Sequence, residues 1–380
     1  MPEGIQLFLS NKVSVPNFIN FTHFINLMVK QASFQGERVT RQEPCRICGS
    51  LDGIKIAETD FWNLQHCDIV QCTSCNLIQL DPMINAQHTA IGCHAYYLKE
   101  IMETPLSEQK RNLVRNYRRG IVFARSLQKK GYRPETILEF GPGSGYFSAG
   151  IQFLFPECKI TVVDIVEDVL KINREVHGYE AFSGSPEDIH LFEDRKFDLI
   201  VARDILEHVT DIGNVIRNIY ELLNPNGLFH FITPNGKEDV WGHFLNWEFT
   251  KQPSELLINH VNYFEGTGLL KCLTDSGFSK IDYFTYQIKY TLRGKGWNHV
   301  KKLAVPVSKK QSADELIRSW INKDSELSFK KEEILDSFIF RTKMKGLIIL
   351  YCRFKHHWLI HLDPGRNVGH EILGLFFKKL

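Results

Sequence analysis

The chain has 380 residues, of which 43% are hydrophobic and 24% charged, and its formal net charge is +2. That balance describes a globular protein with room for one large domain and one or two small ones, and it calls for no polyanionic partner. No apolar run is long enough for a transmembrane helix. The first 40 residues lack a basic start, and their apolar positions are interrupted by Asn, Ser, Pro and His. This predicts no export signal and a reducing, cytoplasmic setting for the nine cysteines.

In chain order, residues 1–40 read as an amphipathic arm that packs on the body or on a second subunit, the latter giving a homodimer. Residues 41–95 read as a metal-binding module. Cys45-Arg46-Ile47-Cys48 and Cys72-Thr73-Ser74-Cys75 form two C-x-x-C pairs with 23 residues between them. Two such pairs supply four thiolates for a tetrahedral Zn²⁺, which fills the coordination sphere and makes the ion structural. The competing reading is four free cysteines in coincidental pairs, and His66 or Cys67 stands close enough to replace a ligand. Short strands are expected between and after the pairs, at 68–71 and 77–80, and Asp81-Pro82 closes the module. No basic cluster with interleaved aromatics accompanies it, so no nucleic-acid partner is expected.

Residues 96–133 read as a connecting helix. Leu113, Tyr117, Ile121, Ala124 and Leu127 recur at helical spacing, while Arg111, Arg115, Arg118, Arg119 and Arg125 form a solvated face. Tyr96 and Tyr97 stand before it as candidates to cover a ligand or simply to pack. Residues 134–290 then alternate between strand and helix patterns, the mark of a doubly wound parallel sheet. Strands are predicted at 136–141, 159–164, 180–183, 197–203 and 227–233, with helices starting near Gly145, Glu167, Gly213 and Gly266. Between the first strand and helix lies Glu139-Phe140-Gly141-Pro142-Gly143-Ser144-Gly145. Glycines at alternate positions let the backbone approach a ligand closely. Asp164, ending the second strand, is placed to take both hydroxyls of a ribose.

The spacing is G-x-G-x-G rather than the G-x-G-x-x-G of dinucleotide sites, and Glu139 at its mouth would repel a pyrophosphate. A carboxylate there suits an ammonium group, so S-adenosylmethionine, which has a ribose and an amino group and no phosphate, fits better. Ligands of such sheets sit beyond the carboxyl ends of the strands. Asp164, Ser185, Arg203, Asp204 and His208 therefore belong to one rim.

The ordered set of the glycine turn, Asp164, Phe197-Asp198-Leu199-Ile200, Leu206-Glu207-His208-Val209 and Leu222-Leu223-Asn224-Pro225-Asn226-Gly227 resembles the class I S-adenosylmethionine-dependent methyltransferases over about residues 134–290. His260-Val261-Asn262-Tyr263-Phe264 and the later Gly277-Phe278 resemble the branch that includes ubiquinone-biosynthesis O-methyltransferases. The cysteine pairs followed by Leu77-Ile78-Gln79-Leu80-Asp81-Pro82 resemble zinc-bearing methyltransferases of bacterial sugar and polysaccharide gene clusters.

This resemblance implies an α/β Rossmann-like fold with a small zinc module. Gly141, Gly143 and Gly145 would line the methionine and ribose. Glu139 would orient the amino group and Asp164 hold the ribose. Adenine would lie near Ile165 and the Ser185-Pro186-Glu187 turn, with Arg203 alongside through its backbone. Many relatives carry Asp where Ser185 stands. The sugar C-methyltransferases carry Tyr-His-Glu-His where this chain has Leu257-Ile258-Asn259-His260, which argues against C-methylation by their route. In the ubiquinone branch, two carboxylates and a histidine spaced like Asp204, Glu207 and His208 accompany a divalent metal, and on a helix these would share a face. The reading preferred for Glu207 and His208 is that they brace the loop.

Residues 291–343, with Trp297 and Trp320, read as a helical insertion that shapes the acceptor pocket. Within 344–380, Lys345-Gly346-Leu347-Ile348-Ile349-Leu350-Tyr351-Cys352-Arg353 reads as the buried last strand, and the apolar run 372–377 as a tail that docks on the body. The function expected is O-methylation of a small-molecule or saccharide acceptor, with His208 or His260 as the base. Sugar C-methylation, a nicotinamide-dependent oxidoreductase and a non-catalytic zinc-containing binding protein are the alternatives.

Overall fold

The computed structural model describes residues 36–61, 65–84, 89, 106–192, 195–236, 240, 260–286, 345–356 and 371–379. The described residues from Arg38 onward belong to one compact unit, and residues 1–35 lie outside the described residues. The expectations for the rest of the arm, for Tyr96 and Tyr97 and for the 291–343 insertion also fall outside them.

Two sheets carry the fold. The first has strands β1 (Glu37–Thr40), β2 (Asp52–Phe61), β3 (Gln65–Cys72), β4 (Ile78–Asp81) and β10 (Asn262–Tyr263), in the order β1-β2-β3-β4-β10. The second has β5 (Thr136–Phe140), β6 (Lys159–Asp164), β7 (Glu180–Ser183), β8 (Phe197–Arg203), β9 (Leu223–Pro234), β11 (Phe278–Tyr286) and β12 (Glu371–Lys378). Its order is β11-β12-β9-β8-β5-β6-β7. Strands β5 to β9 run parallel, and β12 is antiparallel to both its neighbours, β9 and β11. Strands are added in opposite directions on either side of β5, which opens a crevice between the carboxyl ends of β5 and β8.

The strand sequences explain why both faces of this sheet are covered. Successive side chains of a strand point to opposite faces. Ile137, Leu199, Val201 and Leu375 pack on one side with Ala124 and Leu127 of helix α1 (Leu106–Lys129) and Phe147 and Ile151 of α2 (Tyr146–Gln152). Leu138, Phe140, Ile200, Phe229 and Phe376 pack on the other. There they meet Ile216 and Ile219 of α4 (Ile212–Leu222) and Leu269 and Leu273 of α5 (Gly266–Asp275). A strand buried on both faces must be apolar at nearly every position, as these are. Each such side chain contributes about 1.5–3 kcal/mol on full burial. Helix α3 (Glu167–Ile172) follows β6 and runs into a π-helical turn, Asn173–His177.

The predicted end of the sheet is corrected. Residues 345–353 do not form the last strand; Lys345–His356 is helix α6, with Ile348 buried and Leu347 and Leu350 exposed. The last strand is β12, drawn from the run expected to be a docking tail. Both segments are apolar, but only one slot exists between β9 and β11. In β12 the residues at 372 and 376 reach one face and Leu375 the other, so the slot is filled on both sides.

The cysteine module is joined to this body. Cys45, Cys72 and Leu77 belong to the same apolar core as α4 and α5. A Cβ on Gly268 of α5 would lie 2.5 Å from the Cys75 carbonyl oxygen. Only a residue without a side chain lets helix and knuckle approach so closely.

Candidate active site

The glycine turn follows β5 at the centre of the sheet. Gly141, Gly143 and Gly145 all have positive φ, at 62°, 51° and 75°. A Cβ at Gly143 would meet nothing within 4 Å, so the space in front of the turn is open. The turn is held from behind by the π-helical segment: Asn173 Nδ2 donates to the Gly143 carbonyl at 2.9 Å, and His177 Nε2 lies 2.9 Å from the Ser144 carbonyl. Single π-turns recur at functional sites because they re-aim one side of a helix. Sequence reasoning missed both residues, and only Gly178, a left-handed stop after His177, hinted that the helix changes there.

Glu139 lies beneath the turn at 1% exposure, accepts a hydrogen bond from Ser148 Oγ of α2, and has the Arg203 charge nearby. Burial nevertheless pushes its carboxyl up to about 7. A buried carboxylate in that state gains from a cation brought to it. Arg203 ends β8, and its guanidinium stacks 4.1 Å over the Phe147 ring. Its side chain thus points back over the α2 side of the sheet.

Asp164 ends β6, next to the turn. Its Oδ1 accepts from the Val166 N–H at 2.9 Å, and burial raises its carboxyl to about 6. Ile165 beside it is exposed at 38%, unusual for so large an apolar side chain and suited to a flat ring. Past β7, Ser185 Oγ donates to Asp188 Oδ2 and accepts from the Glu187 N–H. Glu187 Oε1 takes three donors, Thr210 N–H, Thr210 Oγ–H and Asp211 N–H, at 2.7–3.0 Å. Both side chains are therefore engaged in closing their own turn and in holding the approach to α4. Asp188, which organises that turn, was not singled out from the sequence.

On the other side of the crevice, β8 leads into Asp204, a non-glycine residue with φ of 56°, and then a single 3₁₀ turn at Leu206–His208. Because this is one 3₁₀ turn and not an α-helix, Asp204, Glu207 and His208 do not share a helical face. The group that comes together is instead Glu207, His208 and His260, whose ligand-type atoms lie within 4.8 Å of one another. The His208 and His260 rings are 4.8 Å apart, centroid to centroid, at 72°. Glu207 is buried and accepts from Thr233 Oγ1 at 3.0 Å; burial lifts its carboxyl to about 8. A Cβ on Gly141 would strike Ile205 at 2.0 Å, so this histidine turn lies directly against the glycine turn.

The four cysteines also converge. Hairpin β2–β3 pairs Gly53 with Cys72, which carries the second C-x-x-C pair back to the first. Cys45 and Cys75 sulfurs are 3.5 Å apart, as are Cys48 and Cys72, and all four lie within 4.8 Å. Zn–S bonds of about 2.3 Å require sulfurs roughly 3.8 Å apart. Each knuckle is completed by a left-handed residue, Gly49 or Asn76, whose N–H donates to the carbonyl of the first cysteine. Backbone N–H groups of Ser50 and Leu77 reach the sulfurs of Cys48 and Cys75. The donor set and its second layer fit a closed thiolate metal site. Cys67 lies outside this cluster on β3, and His66 faces Glu58 and Asp68 instead.

A methyltransferase-domain family model matches residues 109–283. Malonyl-[acyl-carrier protein] O-methyltransferase of Bacillus anthracis is 29% identical over 98 residues, 26% of this chain and 36% of that protein. A thiol S-methyltransferase of Homo sapiens is 25% identical over 159 residues, 38% and 61% of the two chains. The ubiquinone biosynthesis O-methyltransferase of Pasteurella multocida is 28% identical over 126 residues, 30% and 52% of the two. The chain thus spans between about a third and six-tenths of the length of these relatives.

Proposed function

We propose, from the match of residues 109–283 to a methyltransferase-domain family model, that this protein is a class I S-adenosylmethionine-dependent methyltransferase and transfers a methyl group to a hydroxyl of a small-molecule or saccharide acceptor. The observation that carries the reading is the glycine turn with open space before it, flanked by Asp164 and underlain by buried Glu139. Bound there, S-adenosylmethionine supplies an electrophilic methyl on a sulfonium. Asp164 is suited to accept from two ribose hydroxyls, and Glu139 to balance the amino group. Ile165 offers an apolar surface to the adenine. With the Ser185 and Glu187 side chains already engaged, their contribution to the adenine comes through the backbone of that turn.

Methyl transfer is a displacement in line with the departing sulfur, so the protein's work is alignment and proton removal. A neutral imidazole takes the proton from an acceptor hydroxyl near pH 7, and His208 and His260 are the residues suited to it. His208 is ranked first because its turn abuts the glycine turn. The four cysteines would hold a Zn²⁺ whose coordination is complete without substrate, a structural role.

Thermal-shift titration separates this reading from its competitors. S-adenosylmethionine should raise the melting temperature and nicotinamide dinucleotides should not; no response to S-adenosylmethionine overturns the reading. With methyl-labelled S-adenosylmethionine and a small-molecule extract, His208→Ala should cut label transfer by about 10²–10⁴ with donor affinity retained. Equal loss of both would remove His208 from the chemistry.

A further inference from the structure

The cysteine module and the histidine pair are far apart in sequence, yet one buried amide pair spans the gap. Strand β10 leaves the body to become the last strand of the module's sheet, pairing Asn262 with Gln79 and Tyr263 with Ile78 on β4. Gln79 and Asn262 are both buried, at 0% and 1% exposure. Gln79 Nε2 donates to Asn262 Oδ1 at 2.8 Å. On the module side, Gln79 Oε1 accepts from the Arg46 N–H at 3.2 Å and from the Arg41 guanidinium at 3.3 Å. Arg46 lies inside the first C-x-x-C knuckle. On the body side, Asn262 Nδ2 donates to the carbonyls of Leu206, at 3.2 Å, and Val209, at 2.6 Å. Those two residues bracket Glu207 and His208. The Val261 N–H donates to the Glu207 carbonyl at 2.9 Å.

We propose that the Gln79–Asn262 carboxamide pair is a positioning device through which the cysteine module sets the spacing of His208 and His260. Asn262 spends both amide hydrogens on the turn that carries His208 and its oxygen on the module, while its backbone fixes His260 two residues earlier. Both amide hydrogens and the oxygen are engaged, so truncating this one side chain breaks three contacts at once. Leaving buried partners unpaired is costly, and the turn will move to recover them. A single 3₁₀ turn has few bonds of its own to resist that. Gln79 and Asn262 are positioning residues and touch no substrate. Their assignment as such rests on the histidines being the proton-removing groups of the proposed reaction.

The test is histidine-selective NMR on the full-length chain, with His208→Gln and His260→Gln used to assign the two rings. In Asn262→Asp the inter-ring contact between His208 and His260 should be lost and both resonances should move. The resonance of His230, which is buried on β9 and stacked on Phe123, should stay in place, and S-adenosylmethionine affinity should hold within about twofold. Gln79→Met, which keeps the length and removes both amide ends, should give the same shifts if Asn262→Asp does not fold. Unchanged His208 and His260 resonances in a folded variant overturn the proposal. So does failure of both variants to fold, which would make the pair a stability element. Failure of the wild type to bind S-adenosylmethionine refutes the methyltransferase reading instead, and the ring contacts report independently of that result.

Discussion

Beneath the glycine turn, Glu139 has a folded-state pKa near 7 against an ordinary 4.5, because burial disfavours its charge. A carboxyl raised in this way favours the folded state below about pH 4.5, and that contribution is lost as pH rises through 7. Glu139→Gln removes the titration. Relative to that variant, ligand-free wild type should lose about 3 kcal/mol of stability as pH rises from about 4.5 to 8. Urea unfolding of both proteins across that range checks it, and parallel curves would contradict the buried charge. Asp164 gives a second pH signature. Its carboxyl is raised to about 6 by burial, and only the ionised form accepts from two hydroxyls. S-adenosylmethionine affinity should therefore fall as pH drops through 6. In Asp164→Ala it should be roughly ten- to a hundredfold weaker and lose that dependence, as calorimetric titration would show. The identity and place of both carboxylates were legible from the sequence because each ends a strand pattern beside the turn. Their titration was not, since it follows from the burial that tertiary packing imposes on both carboxyls.

At the scale of elements, the two knuckles and the turn that bears His208 behave as parts of one assembly. Cys45 and Cys72 are core residues of the body as well as candidate ligands, so emptying the site should be felt well beyond the module. Metal analysis of purified protein should find about one zinc per chain, and Cys72→Ser should lower that content and destabilise the protein by about 3 kcal/mol or more. A zinc-free wild type with an unaltered melting temperature would rule out a structural metal. The spacing of the cysteines was readable because a knuckle is local. That β10 joins the module's sheet was not, because a two-residue strand has no periodicity to detect. The same holds for the histidine group. Its members were named from sequence, but the spacing of Asp204, Glu207 and His208 suggested an α-helical face where a 3₁₀ turn stands, and His260 replaces Asp204 in the group.

For the whole molecule, the decisive element is β12, which closes the sheet between β9 and β11 from the far end of the chain. Phe376 is fully buried there, its ring stacked 6.0 Å from Phe231 and set edge-on to Tyr283. Phe376→Ala should cost about 3–5 kcal/mol. Leu350→Ala, on the exposed side of α6, should change stability by no more than about 0.5 kcal/mol. Chemical denaturation of the pair tests the strand assignment directly, since a strand at 345–353 predicts the reverse order.

The sequence alone determined the features that depend on neighbours along the chain. These were the parallel core from its strand–helix alternation, the glycine turn from its spacing, the thiolate group from two local knuckles, and α1 from its apolar stripe. Tertiary structure decided everything that depends on competition or convergence. It chose which of two apolar runs enters the sheet, because strand pairing across more than a hundred residues leaves no local trace. It brought His260 to His208 and Gln79 to Asn262, because a buried amide is worth placing only where partners from other elements satisfy it. The proposed methyl-donor site was thus visible in the order of residues, while the arrangement that would present an acceptor to it came from the packing of the cysteine module on the body.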